Sequence, residues 1–438
     1  MDVFAAPTIA ELVSRVRPAA EPADVAEDAS VAPLSLPQEY LLRLEARTAP
    51  HITFVSEYSY EIEGPLDDAA LAAALDDVAR AHPALRTTIR LDGPEPAQVL
   101  AEDPAFALEL RDVPDEELLA ETHAVAYEPI APDADALWRV TLLRTPRRRA
   151  LVVCVHHIVI DGWAMGVFFR ALSQAYAARR AGEPPPARQP WVYAGFAREQ
   201  QARRASGAYR RDVDYWVELT EGHEIDWGSR RGPGRTESWD AVATRVHLGA
   251  AEAARIAELA QVSRTSVATV VGAVSSRALA AVSGDEDVVW VESVANRDAT
   301  NANVIGFYST GGISRVQAPP GRRVSELAAE LWEQRLRSLP YLGVHFEDVA
   351  EVFGADSEYP FVLVSLFNER QDPPRFEGCE VRPIDVPRPT RLRRMLNVSW
   401  WPAGDGYDLV VSQQVGTLVD GTAEAVAAAV ADVLRDAS

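Results

Sequence analysis

The sequence predicts a two-lobed α/β protein with mixed sheets, and three observations support this fold class. A chain of 438 residues is long enough for two or three units, since one domain takes roughly 150 residues. Segments in which apolar and polar residues alternate, as in strands, are interleaved with segments in which apolar residues recur at helical spacing. A proline-rich stretch over 182–190 divides the chain into two halves of similar pattern, and no sequence repeat relates them.

The first 33 residues differ in composition from the rest. Thr8, with Glu11 three positions later, forms a capping-box pattern that predicts a short helix within 1–16. The segment 17–33 is rich in Ala, Pro, Glu and Asp and contains few large apolar residues, which is typical of a linker. We therefore expect the globular part to begin near Leu34.

The first half alternates between strand and helix patterns. In order, it predicts a strand over 52–62, a helix over 66–82 and a strand over 87–91. The near-continuous apolar run over 150–156 is typical of a strand buried on both faces. A helix over 163–181 follows, because Gly182 and the prolines beyond it are helix-termination signals.

The second half repeats this style. The pattern predicts helices over 191–220 and 252–282, a strand over 287–295, a helix over 324–338, strands over 360–367 and 396–415, and a last helix over 422–435.

Composition excludes several classes of protein. The 43 basic and 65 acidic side chains give a formal charge of −22, which argues against nucleic acid or an anionic membrane as the main partner. Every basic residue is Arg, so Schiff-base and P-loop lysine chemistry are excluded. Cys154 and Cys379 have no paired spacing, which fits a reducing compartment. Without a targeting signal or an 18-residue apolar run, a soluble, cytoplasmic protein is expected.

The motif His156-His157-Ile158-Val159-Ile160-Asp161-Gly162 lies where the buried strand ends and a helix begins. Neighbouring side chains of an extended chain point to opposite faces, so only one of the two histidines can face a cavity. The same divergence argues against a shared metal ion, and no metal site is expected. Asp161 can cap the helix, and Gly162 permits a tight turn.

An imidazole beside a helix N-terminus suits acyl transfer, because N–H groups and the helix dipole can stabilise an oxyanion while the imidazole takes a proton. The alternative is a pair of core histidines with an ordinary capping aspartate. A chance match to four fixed residues is expected in about one chain in a thousand, which favours a functional motif.

This motif resembles the HHxxxDG core of the condensation domains of non-ribosomal peptide synthetases, within the chloramphenicol-acetyltransferase-like acyltransferases. The resemblance extends over nearly the whole chain from residue 34. The other matching segments are Ser35–Gln38, Arg80–Thr87, Leu137–Arg139, Asp214–Trp216, Asn296–Arg297, Ile305–Phe307 and Phe361–Asn368.

The resemblance implies a fold and a set of site residues. The fold would be two chloramphenicol-acetyltransferase-like lobes in a V-shaped pseudo-dimer, over 34–187 and 188–438, with a tunnel at their junction. The catalytic set would be His157, Asp161 and Gly162. The residues that maintain the motif would be His156, Arg297 and Arg86, with Arg297 paired to Asp161 because a buried carboxylate needs a partner. The residues that contact substrate would be Asn368, Trp163, Ser309 and Gln38.

The implied function is that of a peptide-bond-forming acyltransferase. It would join an upstream carrier-bound acyl or peptidyl thioester to a downstream carrier-bound aminoacyl amine, in the biosynthesis of a secondary metabolite such as an antibiotic or siderophore. Phosphopantetheine belongs to the carriers, so the domain itself would bind no cofactor. Residues 2–12 resemble the last helix of a peptidyl carrier domain. The expected partners are therefore an upstream and a downstream carrier, with the chain a monomeric fragment of a larger synthetase.

Arginine clusters at 147–149, 203–211 and 388–394 could steer acidic carriers, and 391–394 is the preferred candidate. The alternative for each cluster is an ordinary solvated face.

Three departures from the family pattern leave the subtype open. Ser309-Thr310 stand where the family usually has Asn-Thr, Tyr40 stands where Arg is frequent, and 344–347 only partly match a Pro-Phe-Glu motif. One alternative is a terminal condensation-like domain that releases or cyclises the chain. Another is a non-catalytic recruitment domain, but such relatives lose the second His or the Gly, and both are present here.

Overall fold

The structure is a computed structural model, and it describes most of the chain. The described residues are 30–48, 54–221, 223, 227–234, 239–344, 348–349, 362–367, 372–386, 391–392 and 394–436. The expected carrier remnant over 1–16, most of the linker, Asn368 and part of the 388–394 cluster lie outside these residues.

Fourteen strands and ten α-helices form within the described residues. The strands are β1 (Val31–Pro33), β2 (Val55–Glu63), β3 (Thr87–Arg90), β4 (Ala97–Leu100), β5 (Glu109–Asp112), β6 (Trp138–Arg144), β7 (Arg149–His156), β8 (Ala241–Leu248), β9 (Asp287–Val294), β10 (Thr310–Gln317), β11 (Val362–Leu366), β12 (Glu380–Pro383), β13 (Leu396–Ala403) and β14 (Gly406–Gln414). The helices are α1 (Leu36–Thr48), α2 (Asp68–Ala81), α3 (Leu118–Tyr127), α4 (Gly162–Ala181), α5 (Val192–Ala205), α6 (Ala208–Thr220), α7 (Ala250–Ser263), α8 (Val267–Ser283), α9 (Val324–Ser338) and α10 (Thr422–Asp436).

A five-stranded sheet, in the order β12-β2-β7-β6-β5, forms the centre of the first half. Its strands are antiparallel except for the parallel β5–β6 pair. On one face, Phe169 of α4 packs edge-on against Tyr60 of β2. On the other, the Cys154 thiol of β7 contacts the Val125 carbonyl of α3. β7 is therefore covered on both sides, which explains its continuous apolar run.

A six-stranded mixed sheet, in the order β10-β9-β11-β13-β14-β8, forms the second half. β11 is parallel to both of its neighbours, whereas the other pairs are antiparallel. Helices α7 to α10 pack together on one face, where Trp400 of β13 donates a hydrogen bond to Ser275 of α8 at 3.2 Å. On the other face, Trp216 of α6 packs with Val289 and Ile313. The predicted α/β class with mixed sheets is thus present in both halves.

Two segments lie where the sequence did not predict them. Residues 31–33, expected at the end of a linker, form strand β1 and pair with β4 in a small sheet of order β1-β4-β3. β12, expected in the lobe 188–438, pairs instead with β2 of the five-stranded sheet. Both strands are short and are stabilised by partners distant in sequence, so their own residues carry little strand pattern. The second half therefore supplies a strand to the first sheet.

Three long predicted elements are each divided in two by a local backbone feature. Gly207, with φ of +76°, separates α5 from α6. Arg264, at φ +53°, ends α7, and α8 follows with a bend of 105° between the two helices. Gly404, at φ +58°, lies in the turn that joins β13 to β14. Within the described ranges, no single helix is long and apolar enough to cross a membrane; the bent α7–α8 pair meets the length and composition criteria only when taken together.

Candidate active site

The histidine motif joins the buried end of β7 to the start of α4. β7 ends at His156, a single 3₁₀ turn spans His157–Val159, and Asp161 is the N-cap of α4. The N–H of His157 donates to the Phe54 carbonyl at 2.7 Å. This hydrogen bond anchors the turn to the chain just before β2.

His157 has one ring nitrogen engaged by the backbone. Its Nδ1 lies 2.5 Å from the carbonyl oxygen of Ile160. A carbonyl oxygen can only accept, so Nδ1 must carry the hydrogen, and Nε2 of the neutral ring keeps its lone pair. The ring is half-buried, and its centroid lies 4.5 Å from that of Phe307. His157 is therefore oriented to accept a proton at Nε2.

His156 is completely buried on the opposite side of the strand end. Its Nδ1 accepts the N–H of Ile158 at 3.1 Å, and its Nε2 faces the carboxylate of Glu45, 3.5 Å from Oε1. The two histidines thus face different environments, as alternation along an extended strand requires.

Asp161 and Arg297 form a buried ion pair between segments 136 residues apart. Nη2 of Arg297 lies 2.7 Å from Oδ1 and 2.8 Å from Oδ2, and the two side chains are only 1% and 3% exposed. Asp161 also accepts the N–H groups of Ala164 at 2.8 Å, Tyr308 at 2.9 Å and Ser309 at 3.0 Å. With its oxygens so fully engaged, this carboxylate is unsuited to carrying protons and holds two segments together.

Arg297 also organises the loop over 295–309, which joins β9 to β10 and is called here the Arg297 loop. Its Nη1 donates to the carbonyls of Asn301 and Val304 at 3.0 and 2.7 Å, and its Nη2 donates to that of Gly306 at 3.0 Å. Its guanidinium carbon lies 4.3 Å from the centre of the Tyr308 ring, an arrangement in which cation and ring attract. The Arg297 guanidinium thus fixes the conformation of the loop in which Phe307 contacts His157.

Tyr193, which the sequence did not identify, fastens this loop to the segment between β1 and α1. Its hydroxyl donates to the Phe307 carbonyl at 2.7 Å and accepts from Ser35 Oγ at 2.7 Å. Complete burial raises the pKa of Tyr193 well above its usual range. A methyl group on Gly306 would lie 2.7 Å from the Tyr193 ring and 2.8 Å from that of Tyr308. The glycine of the I-G-x-F segment, read alone, could have signalled such close packing.

Gly162 does not have the structural role that the sequence predicted. It is the first residue of α4 and is exposed, and an added Cβ would have no described atom within 4 Å. The turn therefore does not require a glycine. Its missing side chain instead leaves a space beside the histidine motif that no described residue fills.

Gln38 also differs from its expected role as a substrate contact. Its side chain is completely buried, and Oε1 accepts the Ser35 N–H at 2.9 Å. Nε2 donates to Gln98 at 3.1 Å and to the Ile158 carbonyl at 3.0 Å. Gln38 therefore supports the histidine turn through a hydrogen bond to its backbone. Because its side chain is completely buried, it cannot contact a substrate.

Trp163 and Ser309, two other expected substrate contacts, lie at the junction of the motif and the Arg297 loop. Trp163 is 36% exposed, and its indole N–H donates to the Ala302 carbonyl at 2.8 Å. Ser309 donates its backbone N–H to Asp161. Arg86 is buried away from this junction and donates to the carbonyls of Ala101 and Glu102.

The first turn of α4 offers fewer free donors than the sequence suggested. The Ala164 N–H is bound by Asp161 Oδ1, and the Met165 N–H by the Asp161 carbonyl. These two groups are not available to an oxyanion. In the described part of the chain, no group of three or more His, Cys, Asp or Glu side chains is arranged for a metal ion.

Several of the cluster arginines that the structure describes lie beside acidic side chains. Arg148 and Arg149 lie within 3.5 Å of Glu61 and Asp68 respectively. Three further pairs have the same character: Arg203–Asp212, Arg204–Glu39 and Arg210–Asp214. Arg391, in the preferred cluster, lies 3.9 Å from Asp240. These contacts favour individual ion pairs over a continuous basic docking surface.

Comparison with known proteins gives consistent matches along the chain. A family profile described as "Condensation domain" matches residues 28–362. Chondramide synthase of Chondromyces crocatus is 28% identical over 352 residues, which are 77% of this chain and 9% of that protein. Malpinin synthetase of Mortierella alpina is 25% identical over 419 residues, which are 88% of this chain and 5% of that protein. The chain thus spans less than a tenth of the length of either relative.

Solved structures share the fold. The X-domain from teicoplanin biosynthesis superposes with a TM-score of 0.80 at 22% identity, over 95% of this chain and 98% of that one. The first condensation domain of the calcium-dependent antibiotic synthetase gives 0.74 at 22% identity, over 93% and 97%. The predicted chloramphenicol-acetyltransferase-like fold is confirmed.

Proposed function

Because the chain belongs to the condensation-domain family of non-ribosomal peptide synthetases, we propose that it forms an amide bond between two carrier-bound substrates. The donor is an acyl or peptidyl thioester on an upstream carrier, and the acceptor is the free amine of an aminoacyl group on a downstream carrier. Both are presented on phosphopantetheine arms that belong to the carriers.

The observation that carries this proposal is the orientation of His157. With Nδ1–H committed to the Ile160 carbonyl at 2.5 Å, Nε2 is the free acceptor. The amine nitrogen attacks the thioester carbonyl carbon, and the new C–N bond leaves a positively charged nitrogen and an oxyanion. Nε2 takes a proton from that nitrogen. Collapse of the adduct breaks the C–S bond, and the departing thiolate takes up the proton, which restores neutral His157.

A weak base is sufficient for this reaction. An α-amine has a pKa near 8, so about a tenth of it is already neutral at pH 7. Holding both substrates at attack distance supplies a larger effect, worth roughly 7–11 kcal/mol for well-oriented groups. Asp161 and Arg297 support this function by fixing the turn and the facing loop. They take no part in the proton transfer, because Asp161 is engaged by Arg297 and three backbone N–H groups.

The test compares three donors that carry the same acyl group: the matching carrier, coenzyme A and a short pantetheine mimic. Each is offered with an aminoacyl carrier, and amide product is followed by intact-protein mass spectrometry. With the donor carrier joined covalently to the N-terminus of the chain, we expect the carrier-bound donor to react fastest, since tethering raises the effective concentration to about the millimolar range. The variant His157→Ala should fold normally and lose most product. Equal or faster turnover from coenzyme A would indicate a stand-alone acyltransferase, and unchanged turnover of His157→Ala would refute the assigned role.

A non-catalytic recruitment role is the second candidate, suggested by the fold similarity to the teicoplanin X-domain, which has also been solved in complex with OxyB. Retention of His157 and Gly162 favours catalysis. Absence of His157-dependent product with every donor would favour recruitment. Release of hydrolysed or cyclised product without an acceptor carrier would instead indicate a terminal domain.

A further inference from the structure

Two polar side chains of helix α1 contact the histidine turn and the residue that precedes it. Gln38 and Glu45 are seven residues apart on this helix, which is close to two full turns and places them on one face. Gln38 reaches the Ile158 carbonyl, and Glu45 reaches His156. Glu45 lies in none of the segments that match the family motifs, so the sequence assigns it no role.

Both polar groups of one residue in the turn are held by buried side chains. The Ile158 carbonyl accepts from Gln38 Nε2 at 3.0 Å, and the Ile158 N–H donates to His156 Nδ1 at 3.1 Å. Ile158 immediately follows His157, so these two hydrogen bonds set the backbone from which the His157 ring projects. His156 can accept this N–H only while its Nδ1 carries no hydrogen.

Glu45 is the group that selects this form of His156. Its Oε1 lies 3.5 Å and its Oε2 3.2 Å from His156 Nε2. The hydrogen bond to His156 is made by Oε1, whereas Oε2 is buried and accepts no hydrogen bond from any described residue. The carboxylate side chain is 18% exposed. A carboxylate can only accept, so it stabilises a hydrogen on Nε2 and leaves Nδ1 free for Ile158.

We propose that Glu45 is a positioning residue for the amide-forming reaction, acting through His156 and the Ile158 backbone to hold His157 in its productive orientation. This inference rests on the proposed function. It also has a consequence independent of catalysis: the adjacent histidines hold opposite tautomers, with hydrogen on Nε2 of His156 and on Nδ1 of His157.

The experiment compares three variants of the full chain. Glu45→Ala removes the acceptor, whereas Glu45→Gln keeps an amide oxygen that can still accept from Nε2. Glu39→Ala is the matched control, because it removes a glutamate from the same helix that pairs at the surface with Arg204. We expect Glu45→Ala to lower kcat by roughly 10–100-fold through misplacement of His157, with KM changed less than about threefold. Glu45→Gln should restore most of kcat, and Glu39→Ala should match wild type.

The second measurement is the tautomer of each histidine, read from long-range ¹H–¹⁵N correlations of [¹⁵N]histidine-labelled, deuterated protein and assigned with His157→Ala. Wild type should show the opposite tautomers, and Glu45→Ala should lose the Nε2–H signature of His156. The tautomers can be measured even if the wild-type protein forms no amide. Failure of the proposed function can therefore be distinguished from failure of this inference. Identical tautomers in wild type, wild-type kcat in Glu45→Ala, or loss of kcat with unchanged tautomers would each overturn the inference.

Discussion

The buried pair between Asp161 and Arg297 offers the sharpest test of how this site is built. Asp161→Ala removes the acceptor of the Arg297 guanidinium and of three backbone N–H groups, while the guanidinium stays 3% exposed. The substitution therefore leaves an unpaired buried charge, which is more costly than loss of a surface contact.

The expected magnitude follows from two losses. Breaking a buried ion pair by removing one partner costs about 3–5 kcal/mol, and loss of the α4 cap at Ala164 adds about 1 kcal/mol. The total is about 4–6 kcal/mol. At roughly 2 °C per kcal/mol for a large domain, the Tm should fall by about 8–12 °C.

Thermal and urea unfolding of Asp161→Ala, Arg297→Met and the double variant measure this effect. The double variant should be less destabilised than the sum of the single variants by about 1–3 kcal/mol, because neither charge is left without its partner. Asp214→Ala is the matched control: its pair with Arg210 is 55% and 64% exposed and should be worth about 0.3–0.5 kcal/mol.

A wild-type Tm for Asp161→Ala would refute the architectural role. If that fully stable variant also lost amide formation, Asp161 would have to take part directly in the chemistry.

Three further perturbations probe the surroundings of the motif. Gly162→Ala should leave the Tm unchanged, since its Cβ meets no described atom. It should lower turnover by roughly tenfold if substrate occupies that space. A large fall in Tm would instead show that the turn requires a glycine. Gly306→Ala should destabilise the protein by about 1–3 kcal/mol through overlap with Tyr193 and Tyr308, and wild-type stability would show that these rings move aside freely. Burial raises the pKa of both tyrosines, so the folded state keeps protons that the unfolded state loses above about pH 10, and the free energy of unfolding should fall as pH rises beyond that value. Tyr308→Phe should reduce this alkaline slope, and an unchanged slope would contradict the assignment.

Local features of the chain were predictable because they depend on neighbouring residues. The apolar run of β7, the cap at Asp161 and the divergence of His156 from His157 follow from strand periodicity and helix capping. The helix Val324–Ser338 has the predicted bounds. By contrast, the predicted single helices over 191–220 and 252–282 are divided by positive φ angles at Gly207 and Arg264. The spacing of apolar residues does not predict such breaks.

The tertiary structure alone decided which distant groups complete the site. Tyr193 and Glu45 reach the motif from helices whose spacing says nothing about their neighbours in space. Gln38 belongs to a recognisable motif, but only its complete burial shows that it supports the turn instead of touching substrate. β12 joins the first sheet by backbone hydrogen bonds to β2, which any short exposed segment could make. The sequence by itself thus determined the α/β fold class and the divergence of the two adjacent histidines, since both depend on local pattern. Packing decided how that histidine is held, since buried polar groups must find partners wherever the folded chain brings them.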